Sequence, residues 1–415
     1  MTITVLLGAG ASKDAGIPVS LGITQKILDE IDQRSRPLLH FVYGGTLMKE
    51  AAKAQRRRYL PGQQIAVDAE ELFNAVEALA NRGSFEAGPF VAGWHPLIDE
   101  MDTNQQADVK QAIKRGLDSM IADLSYSSTD RAAQALTNAI VGNARGSQFQ
   151  TAASDMISTL KGMLRVKDAS RIEYLSPLLA LHEEQSGGLL IATLNYDTLI
   201  EQLGAANSVE VNDCLDEWCR TGSVQKSEAL TLLKLHGSIN WIQEQDKSVR
   251  RENETDTKSA FGPSMGSRPA LIFGGINKLR ADGPYLEMLM EWRAHLDQCD
   301  HLVVIGYSFR DDHVNAIIDR WHRKDTKKRI TIVDPRFNHQ ASSLAEYLYR
   351  FSNEEQAPYE VIGSTRQRRP NYVEAPVQLI REGAATALPT LFGKIGKWPD
   401  AIVGHPNPFS SGVIC

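Results

Sequence analysis

Polar residues follow two apolar runs of the chain at the point where each run ends. Ile191–Leu194 leads into Asn195-Tyr196-Asp197, and Leu230–Leu235 leads into His236-Gly237-Ser238. Asn195 and Asp197 offer hydrogen-bonding groups, and histidine titrates near neutral pH, which suits general base catalysis. If both runs are parallel strands, their ends meet at the edge of the sheet where ligands bind. The sequence therefore predicts that Asn195, Asp197 and His236 share one edge.

A turn rich in glycine follows the first apolar run. Gly8-Ala9-Gly10-Ala11-Ser12 closes the run at Thr2–Leu7, and Gly16-Ile17-Pro18 comes next. Glycines let the backbone approach a phosphate closely, and the amides that start the next helix favour its negative charge. The turn is not a dehydrogenase fingerprint, because Lys13 stands three positions after Gly10, and it is not a P-loop. It predicts a phosphate site or a tight turn without a ligand.

Two later strand ends carry similar residues. His301–Ile305 ends in Gly306-Tyr307-Ser308, which predicts a second backbone turn against a nucleotide phosphate. Asp334 follows Ile330–Val333, and an acidic group there can accept hydrogen bonds from a ribose diol.

Structural roles compete with each of these interpretations. Asn195 or Asp197 can cap a helix that starts near Thr198, and Ser308 can cap one that starts near Asp311. His236 can be a structural histidine, and Asp334 can be a turn residue before Pro335. These alternatives stay open at this stage.

The elements that position these residues follow from hydrophobic spacing. Apolar runs predict strands, and helical spacing follows several of them. This alternation predicts a doubly wound α/β fold with a parallel sheet covered on both faces. The strand and helix ranges are Thr2–Leu7, Leu189–Leu194, Leu230–Leu235, Ala270–Phe273, His301–Ile305 and Arg329–Val333 for strands, and Leu21–Ile31, Ala69–Asn81, Asp130–Val141, Ser154–Leu164 and Asp311–Trp321 for helices.

The order of these patterns predicts three parts. Residues 1–39 and 183–362 form the catalytic domain, residues 40–182 a helical insertion, and residues 363–415 a proline-containing tail that wraps the body or reaches a partner. Arg250–Ser267 is polar and predicts a loop.

Composition excludes several classes of protein. The chain has 415 residues, 42% hydrophobic and 23% charged, with a formal net charge of −6. This balance argues against a disordered chain, and the acidic total argues against direct nucleic-acid binding. Four scattered cysteines do not form a disulfide framework, and no apolar run is long enough to span a bilayer. We therefore expect a cytoplasmic protein without a membrane partner.

Taken together, these segments resemble the sirtuin family, a doubly wound fold that binds NAD. The matching segments are Gly8–Ser12 with Gly16–Pro18, Thr193–Asp197, His236-Gly237 and Gly306–Ser308, in the family's order. The resemblance implies that Gly8, Ala9, Gly10 and Ser12 lie at the pyrophosphate. Asn195 would hold the nicotinamide ribose and order the reacting water, and Asp197 would contact the carboxamide. His236 would act on the ribose hydroxyls or the nucleophile, and the adenosine half would lie against Gly306, Ser308 and Asp334.

The chain departs from the protein-deacylating sirtuins in two places. Those enzymes carry a zinc module with paired cysteines, whereas this chain has only Cys299 between His236 and Gly306, so we expect no zinc. Val19-Ser20-Leu21 replaces the family's acidic-aromatic-basic run. The pattern looks like the sirtuin-like NAD-hydrolysing effectors of bacterial anti-phage defence, and the size resembles the effector that pairs with a HerA-type ATPase.

The resemblance therefore implies an NAD+ hydrolase with Asn195 and His236 as catalytic residues, NAD+ as substrate and no metal. A homo-oligomer or the ATPase partner is expected to control it. The alternatives are an NAD-dependent protein deacylase and a non-catalytic module that binds NAD or ADP-ribose.

Overall fold

The computed structural model describes most of the chain. The described residues are 2–56, 67–81, 147–166, 168–244, 246–252, 268–272, 283–325, 327–355, 359–362, 365–368 and 375–392. They fall into two compact units. One takes in the described residues of Met1–Val19, Met163–Ile272 and Ile276–Cys415, and the other takes in those of Ser20–Gly162. The division predicted from the sequence stays a prediction.

Strands and helices alternate along most of the described chain. The strands are β1 (Ile3–Leu7), β2 (Leu190–Thr193), β3 (Val211–Asn212), β4 (Leu230–Lys234), β5 (Gly237–Gln243), β6 (Val249–Arg251), β7 (Arg268–Leu271), β8 (His301–Ile305), β9 (Arg329–Val333), β10 (Tyr359–Ile362), β11 (Thr365–Arg368) and β12 (Val377–Ile380). The α-helices are α1 (Ser20–Glu30), α2 (Arg36–Arg56), α3 (Ala69–Ala80), α4 (Ser147–Leu164), α5 (Pro177–Glu184), α6 (Leu199–Ala206), α7 (Leu215–Thr221), α8 (Tyr285–Gln298), α9 (Asp312–Lys324), α10 (Ser343–Arg350) and α11 (Ala384–Phe392). Two 3-10 helices cover Ala9–Ser12 and Ala169–Leu175.

A seven-stranded sheet forms the centre of the first unit. Its strand order is β12-β9-β8-β1-β2-β4-β3, and every neighbouring pair is parallel. Strands β1, β2, β4 and β8 are buried along their whole length, because helices cover a parallel sheet on both faces. The predicted doubly wound α/β fold is confirmed.

The direction of chain progression reverses at β1. From β1 the chain builds β2, β3 and β4 on one side, and β8, β9 and β12 on the other. Such a reversal opens a crevice at the carboxyl ends of the central strands. The predicted site residues follow those strands.

Two short strands differ from the expected sheet. Ala270, at the end of a predicted core strand, lies in β7, which pairs antiparallel with β5 in a separate three-stranded sheet with β6. Arg250 and Arg251, predicted as loop, lie in β6. After β4 the chain leaves the parallel sheet, and β5 pairs antiparallel with both β6 and β7.

Strand β12 was not predicted. It lies in the proline-rich C-terminal stretch, yet it extends the central sheet beside β9, with Val377 and Leu379 buried. The exposed Gln378 interrupts its apolar residues, so the segment lacks the apolar run that predicted β2, a strand of the same length.

The second unit is helical in its described part. Helices α1, α2 and α3 contact one another, and Asp68 caps α3 by accepting a hydrogen bond from the Glu71 amide. Phe149, Met156 and Leu160 of α4 are fully buried. The predicted helix at Asp130–Val141 lies outside the described residues. No described helix is long and apolar enough to cross a membrane.

Candidate active site

The strand registers bring the predicted site residues to one edge of the sheet. Thr193 of β2 pairs with Leu7 on one side and with Lys234 on the other. Asn195 comes two residues after Thr193, and His236 comes two residues after Lys234. These two residues therefore follow neighbouring parallel strands at the same level.

A buried hydrogen-bond network joins the glycine turn to the end of β2. The amide Nδ2 of Asn195 donates to Ser12 Oγ at 2.9 Å, and Ser12 Oγ donates to Asp197 Oδ2 at 2.6 Å. The Leu199 amide donates to the other carboxylate oxygen of Asp197. Asn195, Asp197 and Ser12 are 8%, 7% and 3% exposed, so the network is shielded from bulk water.

This network fixes the orientation of the Asn195 amide. Nδ2 also donates to the Gly8 carbonyl at 2.9 Å, and a carbonyl oxygen only accepts hydrogen bonds. The NH2 group must therefore face Gly8 and Ser12, which directs Oδ1 away from both. Asn195 Oδ1 accepts no hydrogen bond from the part of the chain that the structure describes. It is thus placed to accept one from a bound hydroxyl or water.

An ion pair between the fully buried Lys234 and the partly exposed Glu201 lies beneath the same loop. Lys234 is fully buried, and its Nζ donates to the Asp197 carbonyl at 2.5 Å and to Glu201 Oε1 at 2.7 Å. Burial raises the pKa of Glu201, while the neighbouring Lys234 works in the opposite direction. Because a buried ammonium needs such partners, Lys234 holds the Asn195–Asp197 loop in one conformation.

The glycine turn packs directly against the turn after β8. The Gly8 amide donates to the Ile305 carbonyl and the Gly10 amide to the Gly306 carbonyl, both at 2.9 Å. A Cβ at Gly8 or Gly10 would lie 2.6 or 2.7 Å from the Gly306–Tyr307 backbone. Close approach of two protein turns therefore requires these glycines. Their predicted contact with a pyrophosphate stays a prediction.

A cavity of about 10 Å³, with room for about one water molecule, lies beside this network. It is lined by Ser12, Asn195 and Asp197, and on its apolar side by Leu175, Ile200 and Leu232.

Tyr174 belongs to the second 3-10 helix, and its hydroxyl donates to the Ala11 carbonyl at 2.6 Å. Burial raises the pKa of Tyr174, so its hydroxyl stays a donor. Nothing in the local sequence marks Tyr174, which was therefore not predicted as a site residue.

His236 faces a carboxylate that the sequence analysis did not assign to the site. Its Nε2 lies 3.1 Å from Asp311 Oδ2, and both side chains are under 10% exposed. The sequence marked Asp311 only as the start of a helix. The His236 ring also lies beside Tyr196, with 6.4 Å between ring centroids.

Ser308 does not cap α9, which was one of the two roles left open for it. Ser308 is exposed, and Asp311 caps α9 by accepting hydrogen bonds from the His313 and Val314 amides. Aspartate accepts the free amides of a first helical turn well, whereas Ser308 lies too far before the helix. The Tyr307 hydroxyl accepts a hydrogen bond from the Asp311 amide and so fixes this loop.

Asp334 lies at the end of β9, as expected. Its Oδ1 accepts a hydrogen bond from the Arg336 amide at 2.8 Å, which is the turn role left open above. Burial raises its pKa. Its other carboxylate oxygen is not used in that turn, so the ribose role stays a prediction.

The described residues contain no group of three or more His, Cys, Asp or Glu side chains that could hold a metal ion. Burial raises the pKa of Cys214 and Cys299 to about 12, so both are unreactive thiols.

One family model matches the part of the chain that contains most of these residues. Residues 189–351 match the family described as SIR2-like domain. A crystal structure of a Sir2 homolog–NAD complex aligns at 13% identity and a TM-score of 0.40, over 95% of this chain and 89% of that chain. A mutant Sir2 homologue in complex with 2′-O-acetyl ADP ribose aligns at 14% identity and a TM-score of 0.38, over 98% and 94%. No curated protein matches the sequence.

The SIR2-like match begins at β2 and ends in the turn after α10, so it contains Asn195, Asp197, His236 and Asp311. The chain therefore combines a Rossmann-type parallel sheet with additional helices, and residues 189–351, which contain Asn195 and His236 at the carboxyl edge of that sheet, match a SIR2-like domain.

Proposed function

We propose that this chain is an NAD+ hydrolase that cleaves the bond between nicotinamide and ribose. The observation that carries the proposal is the hydrogen-bond network of Gly8, Ser12, Asn195 and Asp197. It joins the turn after β1 to the residues after β2, where Asn195 stands at the same level as His236 after β4. An ordered amide and an imidazole on neighbouring strand ends suit a reaction that needs a positioned water and a base.

The chemistry sets what the residues must do. The C1′–N bond breaks and its electron pair leaves with neutral nicotinamide, while a water oxygen bonds to C1′ and gives ADP-ribose. Positive charge develops on the ribose ring, so oriented dipoles that face it lower the barrier. Asn195 Oδ1 supplies such a dipole and also orients the water. His236 takes the proton that the water loses.

The surrounding residues fit the rest of the substrate. Ser12 and Asp197 are buried polar groups of the network, and Asp197 would accept a hydrogen bond from the nicotinamide carboxamide. Ala9, Gly10, Gly306, Ser308 and Asp334 follow β1, β8 and β9 at the edge of the sheet where ligands of such folds lie, and they would hold the pyrophosphate and the adenosine half.

Hydrolysis is favoured over peptide deacylation by one feature of the sequence. The protein-deacylating sirtuins carry a zinc module with paired cysteines, whereas in this chain only Cys299 lies between His236 and Gly306, and its side chain is buried.

We further propose that NAD+ loss serves anti-phage defence, and that self-association or a HerA-type ATPase controls it.

The first test replaces Asn195. Asn195→Ala should lower NAD+ hydrolysis by about a hundredfold or more, since one oriented dipole in a shielded site has an effect of that order. The matched control is Asn207→Ala. Asn207 is exposed and directly follows α6, and its side-chain amide donates to the Leu203 carbonyl. The measurement is chromatographic separation of NAD+, nicotinamide and ADP-ribose, with and without an acetyl-lysine peptide and the ATPase.

The outcomes separate the candidates. Near-normal hydrolysis by a folded Asn195→Ala variant contradicts the proposal. Nicotinamide release that requires the peptide indicates a deacylase, and tight NAD+ binding without turnover under every condition indicates a binding module.

A further inference from the structure

The carboxylate of Asp311 lies against the imidazole of His236. Oδ2 is 3.1 Å from Nε2, and the two side chains are 5% and 8% exposed. Charges interact strongly where water is excluded, so Asp311 would stabilise a positive charge that forms on this ring.

Asp311 is itself held by the start of α9. Its Oδ1 accepts hydrogen bonds from the His313 and Val314 amides at 3.1 and 3.2 Å. Its own amide donates to the Tyr307 hydroxyl, which also donates to Asn315 Oδ1. One carboxylate oxygen is thus fixed by the helix, and the other is presented to His236.

We propose that Asp311 is a positioning residue that acts through His236 in the reaction proposed above. As the water oxygen bonds to C1′, its proton passes to His236, and the imidazolium then forms an ion pair with Asp311. After nicotinamide and ADP-ribose leave, the proton returns to solvent. Asp311 keeps its charge throughout and stabilises the protonated intermediate state of the ring.

Other titratable groups near the ring do not replace this role. The Tyr196 ring lies beside His236, and its hydroxyl donates to the Ile272 carbonyl. Lys234, two residues earlier in the chain, is directed to Asp197 and Glu201. Within the described residues, Asp311 is the carboxylate that faces the ring.

The test is Asp311→Asn, because asparagine caps helices as well as aspartate but carries no charge. We expect kcat for NAD+ to fall at least tenfold with little change in KM, and the acidic limb of the pH–rate profile to move to lower pH. The matched control is Asp312→Asn, which removes an exposed charge from the first turn of the same helix. If the two variants have equal kcat and equal pH profiles, the proposal is wrong.

Two further measurements isolate the route through His236. In a His236→Ala background, Asp311→Asn should have no additional effect, because residues that act as a unit are not additive. NMR titration of the His236 ring in the full chain should show a midpoint at lower pH in Asp311→Asn than in the wild type. A full additional loss in the double variant, or an unmoved midpoint, overturns the proposal.

The failures of the two proposals are distinguishable. If the wild-type protein does not consume NAD+, the proposed function is wrong. If the wild type turns over while Asp311→Asn matches it and the titration is unmoved, only the role of Asp311 is wrong. Should Asp311→Asn fail to fold, Asp311→Ser keeps a capping oxygen without the charge and takes its place in each experiment.

Discussion

At the scale of single residues, the contact between the two glycine turns constrains the backbone of the site. Gly306 has φ +63°, and a Cβ there would lie 2.3 Å from the Ala11 amide nitrogen. Backbone atoms on both sides leave no side chain free to move away. The geometry of the Asn195 network therefore depends on this glycine, because Gly8 belongs to the same contact.

Replacing Gly306 tests that dependence. We expect Gly306→Ala to lower the free energy of unfolding by about 1–2 kcal/mol for the left-handed backbone and by a similar amount for the overlap with Ala11. The control is Gly222→Ala, at φ +72° with open space around its Cβ, which should show the backbone cost alone. Urea unfolding followed by tryptophan fluorescence measures both. Equal losses in the two variants would mean that the turn-to-turn contact has no energetic weight.

Residue identity predicted some of this site and not the rest. Asn195, Asp197 and His236 could be placed at one edge because each directly follows an apolar run. The partners of these residues could not be predicted, since Ser12 and Asp197 are 185 positions apart in the chain. Asp311 was hidden by a second, local role, because a carboxylate before a helix is explained as a cap.

At the scale of elements, the strands built from runs of Ile, Leu and Val followed from the sequence, and the others did not. Strands β1, β2, β4, β8 and β9 are rich in such residues and almost wholly buried, which is the pattern of a strand covered on both faces. Strand β12 is as long as β2, but the exposed Gln378 interrupts its apolar residues, and the antiparallel pairing of β7 with β5 leaves no mark in either segment. Pairing partners are set by the tertiary fold, so composition alone could not assign them.

Two helical glycines allow a test at this scale. Gly45 lies inside α2 with nothing within 4 Å of a Cβ position, whereas a Cβ at Gly204 in α6 would lie 2.4 Å from Val211 Cγ2. Gly45→Ala should stabilise its helix by roughly 0.5–1 kcal/mol, because alanine loses less backbone entropy. Gly204→Ala should destabilise its helix, because the packing of α6 on β3 must open.

Amide hydrogen exchange in α2 and α6 measures these effects locally. Slower exchange in the Gly45 variant and faster exchange in the Gly204 variant are the expected results. A destabilised α2 would show that Gly45 has a packing role that its surroundings do not indicate.

At the scale of the whole molecule, buried histidines set the response of stability to acid. Burial lowers the pKa of His295, His301 and His322 to about 4, with smaller contributions from nearby cations. In the unfolded chain these rings titrate near the ordinary value of about 6.5. Between these values the unfolded chain binds protons that the folded chain does not, so the free energy of unfolding falls as the pH falls. Glu201 acts in the opposite direction, because burial raises its pKa and the folded chain takes up that proton first.

His301 isolates one part of this response. Its Nε2 lies 2.8 Å from Thr331 Oγ1, and glutamine can keep a polar atom near that position without titrating. The wild type should lose up to about 1.4 kcal/mol per pH unit for each such histidine between pH 6.5 and 4. His301→Gln should remove one histidine's share of that slope, while His40→Gln, at an exposed ring, should leave the slope unchanged. Urea unfolding followed by tryptophan fluorescence gives the slope, because Trp292 and Trp321 are buried in the same unit as His301. An unchanged slope in His301→Gln would mean that the folded chain accommodates a charged ring there, which contradicts the burial that the structure gives it.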